Sequence, residues 1–422
     1  MKTRTVVRWK LAWLLFLPIT LLMSLDRTAM VVAAPIIQKD LGFSLQQMSW
    51  ILTAFHWSYA LLSIPAGMFA AYFGARIALV VANAAWSVLT LAIPFAPSVG
   101  ALTGMRLLLG GFQAVDWPSS IASFKQWFPT AERSRANSAL LAGVYLGPIL
   151  GAPITALLVS DFGWRSAFLT FGLLGLVSAV LWWTFFRNTP DEHPGVSDDE
   201  RAYIRKGMAD ERVHERKGSL AALVRRRAFW TIGLQGVCTG GVMGFFNTWL
   251  PTYLMQERGV ALKSLGFFSS VPWMILLAVV CIASVAADHI YKRTGSEWAA
   301  RVPSAVFGFL VSAVCLVLGV NMHEVPAALA LLAVSLGGMG FVQVSTWSTI
   351  QHVGGDNTGI LTAWNGMLTN GGAALGPVLM AMLVHRDGNW IVALSATAAI
   401  AIVGAFAWLL IYPMRANTRL AN

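Results

Sequence analysis

Long apolar stretches recur from one end of this chain to the other, and they constrain its fold more than any other feature. The chain has 422 residues, of which 57% are hydrophobic and 12% charged, whereas a soluble protein carries about twice that charged fraction. Runs of 18 or more apolar residues are long enough to cross a bilayer as helices. The sequence therefore predicts an all-α integral membrane protein. The predicted spans cover residues 11–34, 47–70, 77–96, 100–123, 137–160, 166–187, 228–251, 265–287, 302–320, 326–350, 359–384 and 390–412.

Basic residues cluster on alternate sides of these spans. Four of them precede the first span and ten fall in the 187–227 stretch, whereas the loops on the opposite side hold only five. Short loops rich in Lys and Arg stay on the cytoplasmic side of a membrane. The net charge of +11 is therefore an orientation signal and does not indicate nucleic-acid binding. We expect a multi-pass membrane protein with both termini in the cytoplasm.

One long polar segment divides the spans six and six. A weak internal repeat accompanies this division, because "GMFAAYFGAR" after the second span echoes "SVAADHIYKR" after the eighth. Two such halves are typical of transporters whose repeated bundles move around a central site. The predicted segments are a cytoplasmic N-terminal tail (1–10), an N-terminal six-helix bundle (11–187), a cytoplasmic linker (188–227), a C-terminal six-helix bundle (228–414) and a cytoplasmic C-terminal tail (415–422).

Several motifs resemble a known family. The loop after the second span resembles the G-x-x-x-D-R-x-G-x-R signature of the major facilitator superfamily. The motifs "SLDRTAMVVAAPIIQKDLG", "FHWSYALLSIPAG", "RLLLGGFQAVDWP", "WFPTAERSRAN", "YLGPILGAP" and "DFGWRSAF" together resemble its anion:cation symporter family. That family includes galactonate, hexuronate and phthalate-type carriers and vesicular glutamate transporters. The resemblance implies twelve transmembrane helices in two pseudo-symmetric six-helix bundles.

The loop signature also identifies candidate gating residues. Arg76 is retained, but Ala71 and Tyr72 stand where the family has its acid–base pair. The second-half copy keeps Asp288 and Arg293. In relatives the missing aspartate helps to hold the cytoplasmic gate shut, so we expect a weaker lock and a resting preference for the inward-facing state.

Charged residues inside the apolar spans are the strongest candidates for a site. Asp26 and Arg27 lie within the first span, where each charge costs roughly 2.5–3.5 kcal/mol. The rise of a helix places Arg27 about 24 Å and Arg106 about 20 Å from the inner face. The family's arginines at both positions contact an anionic substrate. Two alternatives stay open: Asp26 and Arg27 form a purely structural ion pair, or Arg106 extends to the outer headgroups.

The candidate proton-coupling residues are Asp26 and Asp116. Asp26 resembles the family's helix 1 acid, which is proposed to bind a proton. In the family motif R-x-x-x-G-x-x-E, the glutamate position holds Gln113 here, which cannot titrate, so we expect fewer coupled protons or a different coupling mode. Asp116 could substitute, although the helix rise places it only about 5 Å from the inner face. An interfacial role for Asp116 therefore stays open.

The remaining substrate-binding candidates are polar or aromatic. Gln113 can hydrogen-bond a substrate, Tyr59 matches the family's substrate-facing tyrosine, and Asn370 matches a helix 11 asparagine. Trp347 is a candidate by position alone. His56 either titrates near neutral pH or has a structural role.

These features predict a secondary transporter that imports a small organic anion, namely a carboxylate, a sugar acid or an aromatic acid, by proton-coupled alternating access. The alternative is a proton-linked efflux antiporter for drugs or amphipathic anions. It is suggested by the glycine motif Gly143-x-x-x-Gly147-Pro148-x-x-Gly151, which also predicts close helix packing. No reactive constellation indicates an enzyme. We expect no cofactor and no metal, H⁺ as the coupling ion, a lipid bilayer and the anion as partners, no nucleic acid, and a monomer.

Overall fold

A computed structural model describes residues 7–209, 223–354, 357–387 and 389–411, and within these ranges the chain is helical without strands. A π-helical turn, Ala12–Phe16, joins the first two helices. The α-helices are α1 (Val7–Leu11), α2 (Leu17–Leu41), α3 (Leu45–Phe73), α4 (Ala75–Ala92), α5 (Val99–Gln113), α6 (Asp116–Trp127), α7 (Thr130–Phe162), α8 (Trp164–Phe185), α9 (Asp198–Ala209), α10 (Arg227–Thr248), α11 (Leu250–Gln256), α12 (Leu262–Thr294), α13 (Glu297–Asn321), α14 (Val325–Gly354), α15 (Thr358–Asp387) and α16 (Trp390–Leu409).

The predicted spans correspond to helices. Ten helical stretches within the described ranges are long and apolar enough to cross a membrane. The other two predicted spans, 47–70 and 100–123, coincide with α3 and with the pair α5 and α6. Most of the predicted N-terminal tail, the middle of the linker and the predicted C-terminal tail lie outside the described residues.

The chain divides into two compact units. The first falls within Met1–Glu215 and Asn247–Val271, and the second within Arg216–Phe246 and Pro272–Asn422. The segment Asn247–Val271 belongs to the first unit because α11 packs against α2, where the side-chain amide of Gln256 donates to that of Gln38 at 3.1 Å. The predicted boundaries at the linker stay a prediction.

The first unit is organised around the contact between α2 and α7. A Cβ atom added to Gly147 would lie 2.1 Å from the Cβ of Ser24, and one added to Gly151 would lie 2.8 Å from Leu25 Cδ2. Only a residue without a side chain fits at such a contact. The close packing predicted from the glycine spacing is confirmed, and it fixes the segment of α2 that carries Asp26 and Arg27.

A proline separates α5 from α6. Pro118 has no backbone N–H, and its ring would clash with the carbonyl of Ala114, four residues earlier. The chain accordingly forms a turn at Ala114 and Val115 before α6 begins. Gln113 and Asp116 therefore lie on either side of a break and not on one continuous helix.

An ion-pair cluster attaches the linker helix α9 to the first unit. Arg8 donates to Glu132 Oε2 at 2.8 Å and to Glu200 Oε1 at 3.0 Å, and the Tyr203 hydroxyl donates to Glu132 Oε1 at 2.9 Å. Burial alone would raise the pKa of Glu132, but its bonds to Arg8 and Tyr203 hold that pKa below its ordinary value. Arg8 is thus a buried arginine whose charge is fully matched by carboxylates.

The second unit has its own closely packed core. Its helix α13 packs against α14 and α16. A Cβ atom added to Gly308 on α13 would lie 2.4 Å from the carbonyl oxygen of Gly338 on α14. One turn away, the hydroxyls of Ser312 and Ser335 form a hydrogen bond of 3.0 Å. Here too, small residues let the backbones of two helices approach closely.

We expect Gly147→Ala to lower the melting temperature of the purified protein, because the added methyl group overlaps Ser24 and overpacking costs about 1–3 kcal/mol. Gly104 on α5 is the matched control, because nothing lies within 4 Å of a Cβ atom added there. Gly104→Ala should not lower the melting temperature, because alanine favours the helix by about 1 kcal/mol over glycine. Equal melting temperatures for the two variants would contradict the assignment of a close helix contact.

Candidate functional site

Asp26 and Arg27 are neighbours in sequence but point to different parts of the first unit. Consecutive residues on a helix do not face each other. Asp26 accepts a hydrogen bond from the Thr90 hydroxyl on α4 at 3.4 Å, whereas Arg27 reaches Gln113 on α5. In the described part of the chain these two residues form no ion pair with each other. The two side chains therefore do not pair directly, and each connects α2 to a different helix.

The Arg27 guanidinium is held by polar and aromatic contacts. Its Nε donates to Gln113 Oε1 at 2.8 Å, and its Nη2 lies 3.4 Å from Met23 Sδ. The guanidinium carbon lies 4.5 Å from the centroid of the Phe55 ring and 5.2 Å from that of the Tyr59 ring. Aromatic faces attract a cation without neutralising it. Arg27 therefore keeps a positive charge inside the helix bundle.

Arg106 lies over the same phenylalanine ring. Its guanidinium carbon is 5.1 Å from the Phe55 centroid, and only 2% of the residue is exposed. The nitrogens Nε and Nη1 of Arg106 have no hydrogen-bond partner among the described residues. Extension of this side chain to the outer headgroups is therefore wrong. The structure brings the two predicted arginines together at one ring.

Two carboxylates accompany the two arginines. Asp26 is buried with one oxygen unpartnered, and Asp116 is fully buried with both oxygens unpartnered, as far as the described residues show. Asp26 lies within electrostatic reach of Arg106 and Arg27, and Asp116 within reach of Arg27. The sequence named both as proton-coupling candidates, and it placed Asp116 close to the inner face by helix rise. The structure shows Asp116 enclosed by the packing of α3, α4 and α7 around α6, while its role in proton coupling stays a prediction.

We refer to Asp26, Arg27, Arg106, Gln113 and Asp116 together as the arginine cluster. The atoms in it that lack a hydrogen-bond partner among the described residues determine what it can bind. Arg106 offers two free donors and the Gln113 side chain offers a third, its Nε2. A buried polar atom without a partner costs about 1–3 kcal/mol, so donors of this kind favour a partner that can accept their hydrogen bonds. An anion with several oxygens would satisfy these donors, and guanidinium groups bind carboxylates in a bidentate manner. The carboxyls of Asp26 and Asp116 can hold protons.

The predicted gating residues fall in both units. In the first unit, the backbone N–H of Arg76 donates to Asn188 Oδ1 at 2.9 Å, and its guanidinium carbon lies 4.4 Å from the Trp183 ring centroid. In the second unit, Asp288 and Arg293 are exposed on α12. Their roles as gate residues stay a prediction.

The remaining predicted binding residues lie in the second unit. Trp347 on α14 is 40% exposed, and the side-chain amide of Asn370 on α15 donates to the carbonyl of Gly366 in its own helix at 3.0 Å. The structure describes each unit by itself, so their contribution to the arginine cluster stays a prediction.

Sequence reasoning missed several residues that the structure assembles. Phe55 could have been found, because it precedes Tyr59 by four residues and so shares a helix face with it. Thr90 gives no signal, since it is one hydroxyl in an apolar span. The second unit contains a buried network that was also missed, in which Gln235 Nε2 donates to Asn365 Oδ1 at 2.8 Å and Gln235 Oε1 accepts from Thr346 at 3.4 Å.

The family is decided by a direct comparison. The family model described as the Major Facilitator Superfamily matches residues 16–370. The chain belongs to the major facilitator superfamily. It is a multi-pass membrane transporter and not an enzyme. The predicted fold class is confirmed.

Similar proteins agree with this assignment. A protein of Cupriavidus necator named as a probable sulfoacetate transporter is 31% identical over 395 residues, covering 92% of this chain and 90% of that protein. A Bacillus subtilis protein named as a probable galactarate/D-glucarate transporter is 27% identical over 429 residues, covering 97% and 92%. These names are consistent with the anion:cation symporter family.

A solved structure shows the same fold. The crystal structure of a bacterial homolog of the human lysosomal transporter Spinster, in an inward-facing and occupied conformation, aligns with a TM-score of 0.77. It is 16% identical, and the alignment covers 97% of each chain. At this identity the likeness concerns the fold alone.

We expect Arg106→Met to lower the melting temperature less than Arg8→Met does, because Nε and Nη1 of Arg106 make no hydrogen bond among the described residues, whereas Arg8 bonds to two carboxylates. Arg8→Met should lower the melting temperature strongly, since breaking a buried ion pair from one side costs about 3–5 kcal/mol. Thermal unfolding of both variants without added anion makes the comparison. A large destabilisation by Arg106→Met would indicate that Arg106 is structural.

Proposed function

We propose that this chain imports a small organic anion together with protons by alternating access, as a monomer in the bacterial cytoplasmic membrane with both termini in the cytoplasm. One observation carries the proposal: Arg27 and Arg106 share the ring of Phe55, and Arg106 keeps two unpartnered donors. The names of the sulfoacetate and galactarate/D-glucarate relatives support an organic anion as cargo.

In this proposal the two arginines bind the negative charge of the substrate. Arg106 supplies its free nitrogens, and Gln113 adds its free Nε2. Arg27, held by Gln113 and the ring of Tyr59, is positioned before the substrate arrives. Preorganised donors bind an anion without first having to be ordered. Trp347 and Asn370 are proposed to contact the remainder of the substrate from the second half of the chain.

Protons enter the proposed cycle through the carboxyl groups. Asp26 lies within reach of both arginines, so an anion that occupies the arginines competes with Asp26 for their charge. Asp26 then binds a proton more readily, because its ionised form has lost its stabilising partners. When the anion is released in the cytoplasm, the charges of the two arginines again stabilise the ionised form of Asp26. Asp26 then releases its proton. No cofactor enters this cycle, and H⁺ is the coupling ion.

The cytoplasmic gate is proposed to involve Arg76, Asp288 and Arg293. Ala71 and Tyr72 replace the family's acid–base pair in the loop after the second span. The proposed gate therefore lacks one ionic contact in the N-terminal half of the chain. We therefore expect the ligand-free carrier to favour the inward-facing state, which site-specific accessibility labelling can measure.

The uptake test uses purified protein in liposomes with an inward-directed proton gradient and labelled sulfoacetate, galactarate or D-galactonate. We expect uptake of at least one of them, and Arg106→Lys should weaken it at least about tenfold, because lysine cannot replace a bidentate guanidinium. The matched control is Arg165→Lys, since Arg165 pairs with Asp40 outside the cluster. Equal loss in both variants, or wild-type uptake by Arg106→Lys, would contradict the proposed binding role.

The same liposomes test proton coupling at Asp26. Asp26→Asn should reduce the acceleration of uptake by the proton gradient, because an amide cannot release a proton, while exchange of labelled for unlabelled anion across the membrane continues. The measurement compares uptake with and without the gradient at equal substrate concentration. Full gradient-driven accumulation by Asp26→Asn would exclude Asp26 as the coupling residue.

A further inference from the structure

The Arg106 guanidinium is held by an aromatic ring and not by a hydrogen bond. Its carbon lies 5.1 Å from the centroid of Phe55, and its Nε and Nη1 have no hydrogen-bond partner among the described residues. Arg27 has more contacts, because Gln113 accepts from its Nε at 2.8 Å and the Tyr59 centroid lies 5.2 Å from its guanidinium carbon. The position of Arg106 before an anion binds therefore depends on Phe55.

The Phe55 ring is itself fixed by its surroundings. The residue is 1% exposed. A Cβ atom added to Gly110 on α5 would lie 2.3 Å from the carbonyl oxygen of Phe55, so the backbones of α3 and α5 are in contact at this level. The ring centroids of His56 and Tyr59 lie 5.3 Å and 5.7 Å from that of Phe55. A ring fixed in this way gives a guanidinium a rigid surface to rest on.

The close approach at Gly110 also explains why Arg106 meets this ring. Arg106 precedes Gly110 by four residues and lies on the same face of α5. Because Gly110 has no side chain, this face of α5 comes directly against Phe55 on α3. Gln113 follows Gly110 by three residues and contacts Arg27 from the same helix. One short segment of α5 therefore sets the position of Arg106 at the ring and holds the second arginine.

An aromatic face and an anion use different properties of a guanidinium group. The ring attracts the cation through its quadrupole, whereas a carboxylate binds the N–H groups. Arg106 can therefore rest on Phe55 and still offer its Nε and Nη1 to an anion. Without the aromatic face the guanidinium could turn away, and anion binding would then include the cost of ordering it again.

We propose that Phe55 is a positioning residue for anion binding and that it acts by holding the guanidinium of Arg106 where the anion binds. The affinity for the anion then depends on the electron density of the Phe55 ring face as well as on the shape of the ring. This inference rests on the proposed function and adds to it a residue that acts through Arg106.

A phenylalanine that only fills space between helices would behave differently. Replacement by leucine does not separate the two roles, because Phe55→Leu changes the shape of the side chain and removes the aromatic face together. Fluorination of the ring separates them. Fluorine atoms withdraw electron density from the ring face and change the size of the side chain little, so the attraction for a cation falls with each added fluorine.

The test places mono-, di- and trifluorinated phenylalanine at the position of Phe55 in the full-length protein by nonsense suppression. Calorimetric titration with D-galactonate, galactarate and sulfoacetate measures the affinity for each anion. We expect a stepwise loss of affinity with the number of fluorine atoms. Phe55→Leu, which removes the aromatic face entirely, should weaken binding about five- to thirtyfold, the range that a buried cation–π contact contributes.

Phe16 is the matched control for the fluorinated series. It is also 1% exposed, and its ring packs against the rings of Phe124, Trp182 and Phe186. The same fluorinated residues at Phe16 should leave the affinity unchanged. Equal affinity throughout the Phe55 series, or equal losses in both series, overturns the inference and leaves anion transport intact. If the wild-type protein binds none of the three anions, the proposed function is overturned as well.

Discussion

The ring of Phe55 is the contact on which the candidate site depends. It lies between helices that carry one arginine each, and both guanidinium groups rest on it. An aromatic face attracts cations through its quadrupole and removes none of their charge. Two like charges are thereby held close together and stay available to a ligand. A carboxylate in the position of this ring would have given stability and removed the site.

Two buried arginines show how differently the same side chain can be used. Arg8 donates to Glu132 and Glu200 and fastens the linker helix to the first unit. Arg106 is equally buried but has two nitrogens without partners among the described residues. The first arrangement pairs the guanidinium with carboxylates, whereas the second leaves nitrogens that an added acceptor can engage. The two arginines therefore differ in their partners and not in their burial.

The sequence predicts the parts of this structure that depend on local patterns. Apolar runs predicted the helices, and the glycine spacing predicted the contact of α7 with α2. The height of Arg27 and Arg106 followed from helix rise alone. The sequence could not predict which side chains contact each other across helices. It did not show that Asp26 contacts Thr90 and not Arg27, or that other helices enclose Asp116. These depend on helix rotation and on packing between segments remote in sequence, for which no periodicity gives a signal.

The tight seating of α2 on α7 has a consequence for how the substrate range of this carrier can change. With Gly147 against Ser24 and Gly151 against Leu25, the backbone that carries Asp26 and Arg27 has no freedom to slide along its neighbour. The spacing of α2 and α7 is therefore fixed at the level of Asp26 and Arg27. New selectivity must therefore arise from the length of individual side chains. The backbone of α2 keeps a fixed position against α7, and this position sets the length of the cargo molecule that fits.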